Sequence, residues 1–421
     1  MVAPRRVLLT PVGSHGDVLP FLGLGRALAA RGHEVVLVTA APFAGAAARA
    51  GLGFRATISA EEYDQITQDP GMWDARRGLA LVLGILGEGA RVLHAALEDL
   101  HAPGRTVVVG HTIAWGARLF EERHGLPSLT VHLAPSAIRT AHEVVVAPGV
   151  ALTSWPVWTK RALWWLLDRL VIDRHACPGL NAVRRELGLP PVRRPFRAWL
   201  NSPQGVLCLF PAWFGAPCPD WPAPVTQAGF PLSEDAGDEP AGPALEAFLA
   251  GGPPPVVVTP GSANRHARRL FEDALAACGR LGRRALLLSR YAEHVPAPLP
   301  AWAHHAPWAP LGQVLPRAAA LVHHGGVGTL AQAFAAGVPQ LVVPFGFDQP
   351  DNATRVARLG VGGWAKPGDR RRLEARLGAA LADPAVAAAC ARWRGETEEG
   401  AGGRAALERA ADAVEAVATR A

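Results

Sequence analysis

Two glycine-rich stretches of this chain arrange side chains in patterns that could do chemistry. The first is His324-Gly325-Gly326-Val327-Gly328-Thr329, followed downstream by Asp348-Gln349 and Asn352. Small residues at a strand-to-helix turn let a ligand come close to the backbone. The unpaired N–H groups of a helix start carry roughly half a positive charge, which suits a diphosphate. The glycines alone are explained equally well by an ordinary turn of an α/β protein. Asp348 and Gln349 add what such a turn lacks, because a carboxylate and an amide in sequence can fork onto neighbouring sugar hydroxyls. Pro260-Gly261-Ser262 offers another turn whose hydroxyl and N–H groups would hold a phosphate or simply cap a helix. Trp308, in Pro307-Trp308-Ala309-Pro310, presents a flat face to a pyrimidine ring, although a Trp among prolines also packs well and the chain has 13 Trp.

The second stretch is Gly13-Ser14-His15-Gly16-Asp17-Val18-Leu19-Pro20. Asp17 and His15 are both candidate bases, and the glycines expose them to a substrate. Asp17 taken alone reads more simply as the cap of the helix that follows. His323 and His324 are adjacent, so on a strand they point to opposite faces, one toward the core and one toward a ligand. The chain has no Asp-x-Asp, no His-x-x-x-His and no paired Cys, and no metal site is expected.

These residues need elements to position them. Val7–Thr10 reads as a buried parallel strand, Pro11–Asp17 as a loop, Leu19–Arg31 as an amphipathic helix stopped by Gly32, and Glu34–Thr39 as the next strand. Val107–Val109, Ser128–His132 and Val206–Phe210 continue the pattern. Ser233–Gly242 is acidic and rich in Gly and Pro, the mark of a linker. Pro255–Ser262 restarts a strand-turn-helix pattern that Ala285–Ser289, Leu321–His323 and Leu341–Val343 extend. Thr329–Ala336 reads as a helix stopped by Gly337-Val338-Pro339. The expected division is 1–232, a linker at 233–245, 246–403, and a helical tail at 404–421. The fold class is α/β, with two doubly wound parallel-sheet domains.

With 421 residues, 49% of them hydrophobic, the chain is long enough for two cores. The net charge of +6 is carried almost wholly by Arg, scattered along the chain, so nucleic acid is not an expected partner. The five cysteines show no pairing pattern and read as reduced residues of a cytosolic protein. The N-terminus reads as lacking a secretory signal, and no apolar run is long enough to span a bilayer. Met72-Trp73 with Gly78–Leu93, and Trp155–Ile172, are oily and Trp-rich. Such segments are core helices, walls of a lipid-sized pocket, or peripheral contacts with the inner membrane aided by Lys160, Arg161, Arg169 and Arg174.

The His324–Thr329 and Asp348-Gln349 motifs resemble the donor signature of glycosyltransferase family 1. That resemblance implies a GT-B fold with an interdomain cleft, a tail helix packing back on the first domain, and inverting transfer from a dTDP- or UDP-sugar. No cofactor or metal is implied. It places the base of the donor on Trp308, with Leu311 standing where many relatives have Gln. It places the diphosphate on Ser262, His324, Gly325, Gly326, Gly328 and Thr329, and the sugar on Asp348 and Gln349. Gln332 stands where plant enzymes often carry a ribose-binding Glu, which favours a deoxyribose donor. Gly-Ser-x-Gly-Asp-x-x-Pro resembles the acceptor-activating loop of bacterial members, with Asp17 at the general-base position and His15 at a variable one. Ser202–Phe214, Asp220–Pro222, Gly229–Leu232, Asp69–Asp74 and Asn181–Arg185 resemble the catalytic chain of rhamnolipid-type rhamnosyltransferases. This implies dTDP-L-rhamnose as donor and a hydroxyacyl fatty acid as the hydrophobic acceptor, with Trp73 and Trp158 as acceptor contacts. His324 and Thr329 are more like the wider family, whose sterol, macrolide and other natural-product glucosyltransferases use UDP-glucose. A nucleotide-sugar epimerase and a non-catalytic binding partner are the competing classes.

Overall fold

The computed structural model describes residues 3–69, 78–152, 154–232, 242–261, 267–399 and 402–420. It forms two compact units. One holds Met1–Val144, Leu152–Ser233 and Gly403–Ala421; the other holds Val145–Ala151 and Glu234–Gly402.

The first unit is built on β1 (Arg6–Thr10), β2 (Glu34–Thr39), β3 (Gly53–Ala56), β4 (Thr106–His111) and β5 (Ser128–His132). The hairpin β6 (Val145–Ala147) and β7 (Val150–Ala151) follows in the chain, and then β8 (Val206–Cys208) and β9 (Val225–Gln227) complete the sheet. The sheet is seven-stranded and runs β3-β2-β1-β4-β5-β8-β9. All its pairings are parallel, with Leu8 facing both Val36 and Val108. Leu8, Val36, Val38 and Val108 pack with Leu93, Leu97 and Phe120 from two helices. This explains why the strands are apolar without alternation: helices cover the sheet. The order reverses between β1 and β4, and open α/β sheets bind ligands at such a reversal, beyond the C-terminal strand ends.

The helix after β1 spans His15–Ala30, four residues earlier than the hydrophobic pattern predicts. Ser14 caps it, and Asp17 sits in its first turn rather than in a loop. Pro20 lies inside this helix. It has no N–H to give the Gly16 carbonyl, so one bond of the helical ladder is missing there. The last helix, Gly402–Ala418, belongs to this unit. Arg31 bonds Asp412 at 2.7 Å and Glu415 at 2.8 Å, and Arg409 reaches the Ala228 carbonyl at 2.6 Å.

The second unit carries β10 (Val256–Thr259), β11 (Ala285–Leu288), β12 (Ala303–Ala306), β13 (Ala320–His323), β14 (Gln340–Val342) and β15 (Gly362–Trp364). They form a six-stranded parallel sheet in the order β12-β11-β10-β13-β14-β15. This is the doubly wound nucleotide-binding order, and its reversal falls between β10 and β13. The β6–β7 hairpin, expected with the first domain, clusters here instead. Its Gly149 N–H donates to Thr354 Oγ1 at 3.0 Å, and its backbone lies so close to Trp364 that a Cβ would fall 2.9 Å from the indole ring.

Candidate active site

In the first unit, three side chains meet where the strand order reverses. The helix His15–Ala30 starts just beyond β1 and carries Asp17. One carboxylate oxygen accepts the Ser14 N–H at 2.7 Å and the Ser14 hydroxyl at 3.1 Å. The close turn depends on Gly13, at φ +133, where a Cβ would fall 2.3 Å from that oxygen. The other oxygen lies 4.0 Å from His111 Nε2, at the end of β4. Asp17 keeps 34% of its side-chain surface, yet the recess removes enough water to push its carboxyl up to about 6, against the lowering effect of the Ser14 bonds. Such a carboxylate is ionised at neutral pH and basic enough to take a proton.

His111 and His132 were not singled out by the sequence. They end adjacent parallel strands, and burial pushes both imidazoles down to about 4, so both are neutral. His132 is fixed by Thr112 Oγ1 at 2.8 Å and by Asn201 Oδ1 at 2.7 Å. Histidine as the last residue of an apolar strand next to an acidic turn was the available signal. His15 is the first helical residue and packs edge-on against Phe43, ring centroids 4.9 Å apart.

In the second unit, β13 ends at His323 and the helix Val327–Ala336 begins beyond Gly326. His323 is fully buried, and His324 is the residue that turns outward. The His324 ring threads between two glycines: a Cβ on Gly261 would lie 2.5 Å from its Cε1, and one on Gly326 would lie 2.3 Å from its Nε2. Burial pushes His324 down to about 4. The imidazole is therefore neutral and offers a hydrogen bond rather than a charge. Gly325 sits at φ +96 with a Cβ position 2.6 Å from Val342, so no other residue fits there. Gly328 has nothing within 4 Å of its Cβ position, which leaves its face of the helix start open. Thr329 lies in the same first turn.

Asp348 precedes the helix Gln349–Arg358. Asn352, fully buried, ties this segment to the glycine turn. Its Nδ2 donates to the Gly325 carbonyl at 2.8 Å and to Asp348 Oδ2 at 2.8 Å. Gln349 Oε1 accepts the N–H groups of Phe345 at 2.7 Å and Gly346 at 3.1 Å. Its carbonyl oxygen is thus committed to the loop, and its amide NH2 is the end left for a ligand. Phe347 is 57% exposed and held at φ +59. A bulky residue in the left-handed region is rare and marks functional loops more often than others.

Trp308 follows β12 and is 37% exposed. Gln332 is buried on the helix Val327–Ala336. Trp158 is 71% exposed on the helix Val157–Leu167, and Trp165, Leu166 and Leu170 share its outward face. That face is therefore not core. Lys160 is 2% exposed and points to the His142 carbonyl at 3.3 Å, so it cannot serve as the surface cation the sequence suggested. Ser262, Trp73 and the Asp69–Asp74 motif beyond Asp69 lie outside the described residues, as does most of the 233–245 linker. Among the described residues no helix is long and apolar enough to cross a membrane.

The N-terminal part, residues 7–88, matches the glycosyltransferase family 28 N-terminal domain. Residues 286–401 match the C-terminal domain of erythromycin biosynthesis protein CIII-like proteins. The chain is 34% identical to O-mycaminosyltylonolide 6-deoxyallosyltransferase of Streptomyces fradiae, with 91% of each chain covered. Its fold is similar to that of the kitacinnamycin glycosyltransferase, with a TM-score of 0.75 at 23% identity and 99% of both chains covered. It is also similar to the spinosyn rhamnosyltransferase SpnG complexed with thymidine diphosphate, with a TM-score of 0.68 at 22% identity, covering 97% of this chain and all of the other. The chain belongs to the family of nucleotide-sugar-dependent glycosyltransferases of GT-B fold that act on macrolides and other natural products.

Proposed function

We propose that the chain transfers a 6-deoxyhexose from a dTDP-sugar to a hydroxyl of a hydrophobic natural product, with inversion at the anomeric carbon. The observation that carries the chemistry is Asp17, a recessed but reachable carboxylate with its pKa raised to about 6 at the reversal of the first sheet. Asp17 takes the proton of the acceptor hydroxyl. The acceptor oxygen forms a bond to the anomeric carbon as the bond to the diphosphate oxygen breaks, and the nucleoside diphosphate leaves with the electron pair. General-base assistance of this kind is worth about 10²–10⁴-fold.

In the second unit the donor's diphosphate rests on the helix start at Gly326–Thr329, and the family resemblance adds Ser262 as a further phosphate ligand. Neutral His324 donates a hydrogen bond to it, and no metal is needed. Asp348 and the Gln349 amide hold the sugar, and Trp308 stacks on the base. A dTDP-deoxysugar is supported by the 6-deoxyallosyl group named for the full-length relative and by Gln332 in place of a ribose-binding carboxylate. The outward face of Trp158, Trp165, Leu166 and Leu170 suits an oily acceptor. Peripheral contact with the inner membrane is the competing use of that face, and liposome sedimentation separates the two.

A second reading, L-rhamnose from dTDP-L-rhamnose onto a hydroxyacyl fatty acid, is favoured by the Ser202–Phe214, Asp220–Pro222 and Gly229–Leu232 motifs. A donor-by-acceptor matrix followed by mass spectrometry tests both. Deoxyhexosyl macrolide or polyketide products support the first reading, and rhamnosyl hydroxyacyl lipid supports the second. Preference for UDP-glucose overturns the donor assignment. Sugar isomerisation without transfer identifies an epimerase, and neither activity identifies a binding partner.

A further inference from the structure

We propose that Glu98, His101 and His124 form a binding site for a divalent transition-metal ion of the zinc class, using none of the residues assigned to the transferase site. Glu98 is the last residue of the helix Gly78–Glu98, and His124 is the last residue of the helix Trp115–His124. His101 lies in the turn after the first helix, its N–H bonded to the Glu98 carbonyl at 3.2 Å. One ligand atom from each of the three lies within 4.8 Å of the other two. Zinc bonds of about 2.0–2.2 Å in tetrahedral geometry need ligand atoms roughly 3.3–3.5 Å apart, so small rotations of these side chains suffice.

Three further features point to a cation. His94, one helical turn before Glu98, is 5% exposed; its Nε2 lies 3.4 Å from Glu98 Oε1 and makes no hydrogen bond. It is a buried nitrogen without a hydrogen bond, facing the carboxylate the metal would share, whose Oε1 also holds His124 Nε2 at 2.9 Å. The rings are held by one buried floor, with Phe120 4.7 Å from His124, 5.2 Å from His101 and 5.9 Å from His94 between centroids. Two helix C-termini converge on the cluster, and the negative ends of their dipoles favour positive charge. Against these stands Arg123, whose Nε is 3.5 Å from Glu98 Oε1. It is 44% exposed, and its long side chain can yield to a bound ion by turning into solvent. The ion would join the ends of two helices that flank β4, a cross-link that no spacing motif in the sequence announces.

The test uses untagged full-length protein, stripped with EDTA and exchanged into chelator-free buffer. ZnCl2 is titrated by calorimetry and by competition with a chromogenic chelator, and melting is followed with and without zinc. The expected result is uptake of one equivalent and a rise in Tm on the order of 5 °C at saturating zinc. His101→Ala and His124→Ala should each weaken binding at least about ten-fold, while their zinc-free circular dichroism matches the parent. Arg123→Ala should bind as tightly as the parent or more so. Absence of saturable uptake overturns the proposal, and so does one equivalent retained with unchanged affinity in both histidine variants.

Discussion

Asn352 is the side chain whose removal should cost the donor site most for its size. Its one amide nitrogen spans the glycine turn and the carboxylate proposed to bind the sugar, through bonds of 2.8 Å to the Gly325 carbonyl and 2.8 Å to Asp348 Oδ2. Asn352→Ala strips both acceptors inside a site from which water is excluded. A neutral bond of this kind is worth about 0.5–1.5 kcal/mol and one to a charged group about 1.5–3 kcal/mol. The tether is therefore worth about 2–4.5 kcal/mol, which corresponds to roughly 30- to 2,000-fold if all of it appears in donor recognition. Relaxation of the Asp348 loop recovers part, so the lower end, about 30- to 100-fold in kcat/KM for the donor, is expected. Calorimetry with dTDP alone and with the dTDP-sugar divides the loss between the two arms. Weakening of dTDP reports the Gly325 arm, and any additional weakening of the sugar nucleotide reports the Asp348 arm. Asn352→Asp should be at least as damaging, because it sets a carboxylate against the Asp348 carboxylate and a carbonyl oxygen. A folded Asn352→Ala protein with donor kcat/KM within twofold of the parent would refute the reasoning.

Further outcomes follow from the geometry. The rate should fall with unit slope as pH drops through about 6, the value to which burial raises Asp17; Asp17→Asn should lose about 10²–10⁴-fold in turnover with donor binding intact, and near-normal turnover would move the base to His15. Gly326→Ala, which would put a Cβ 2.3 Å from His324 Nε2, should expel the imidazole and weaken diphosphate binding in calorimetry with little loss of Tm. Gly325→Ala adds backbone strain at φ +96, costing about 1–3 kcal/mol, and should lower the Tm itself. Turnover should persist in excess EDTA even where the chelator lowers the Tm through the Glu98–His101–His124 cluster; loss of turnover restored by one divalent ion would show that the diphosphate needs a metal. Stability should decline from about pH 6.5 toward pH 4. His111, His132 and His324 are pushed down to about 4 and His323 to about 3, so in that window the unfolded chain binds protons that the folded one refuses, at about 1.4 kcal/mol per pH unit for each histidine. Asp17, Glu121 and Asp273, raised instead by burial, each oppose this with a single proton. Melting curves that improve on acidification would contradict the burial of these rings.

The parallel strands were legible because they are apolar without alternation. Val256–Thr259 and Ser128–His132 are bounded as the pattern predicts, to within a residue or two at their ends. The helix Val327–Ala336 ends at Gly337, at φ +67, where its sequence says it must. The start of the helix after β1 was not legible, because Pro20 argues for a boundary while the Ser14 cap and the Asp17 carboxylate, which stabilise an earlier start, act only once the turn has formed. Nor could sequence show the partners that fix the candidate chemistry. His111 is far from Asp17 along the chain and reaches it through strand order alone. The role of Asn352 depends on a carbonyl contributed by a different turn.

Those partnerships suggest why both glycine-rich stretches lie where they do. In each unit the sheet reverses its order beside the strand that ends at the turn, between β1 and β4 and again between β10 and β13. Each reversal opens a gap between neighbouring loops at the C-terminal edge, and a helix start projects its N–H groups there. In the first unit that start is occupied by the protein's own carboxylate: Asp17, the proposed base, takes the Ser14 N–H and hydroxyl. In the second unit the corresponding position holds glycines and a neutral imidazole, with no acidic residue in the first helical turn, so the same backbone device is left for an anion from outside. On the proposed reading, one fold used twice gives two different sites because a single acid is present at one turn and absent from the other. Introducing an acid at the second turn tests this directly. Gly328→Asp enters open space, so it should fold, and its carboxylate should compete with the diphosphate for the helix start. The expected result is a large loss of dTDP affinity with little change in Tm; dTDP binding unchanged in that variant would remove the helix start from the donor site.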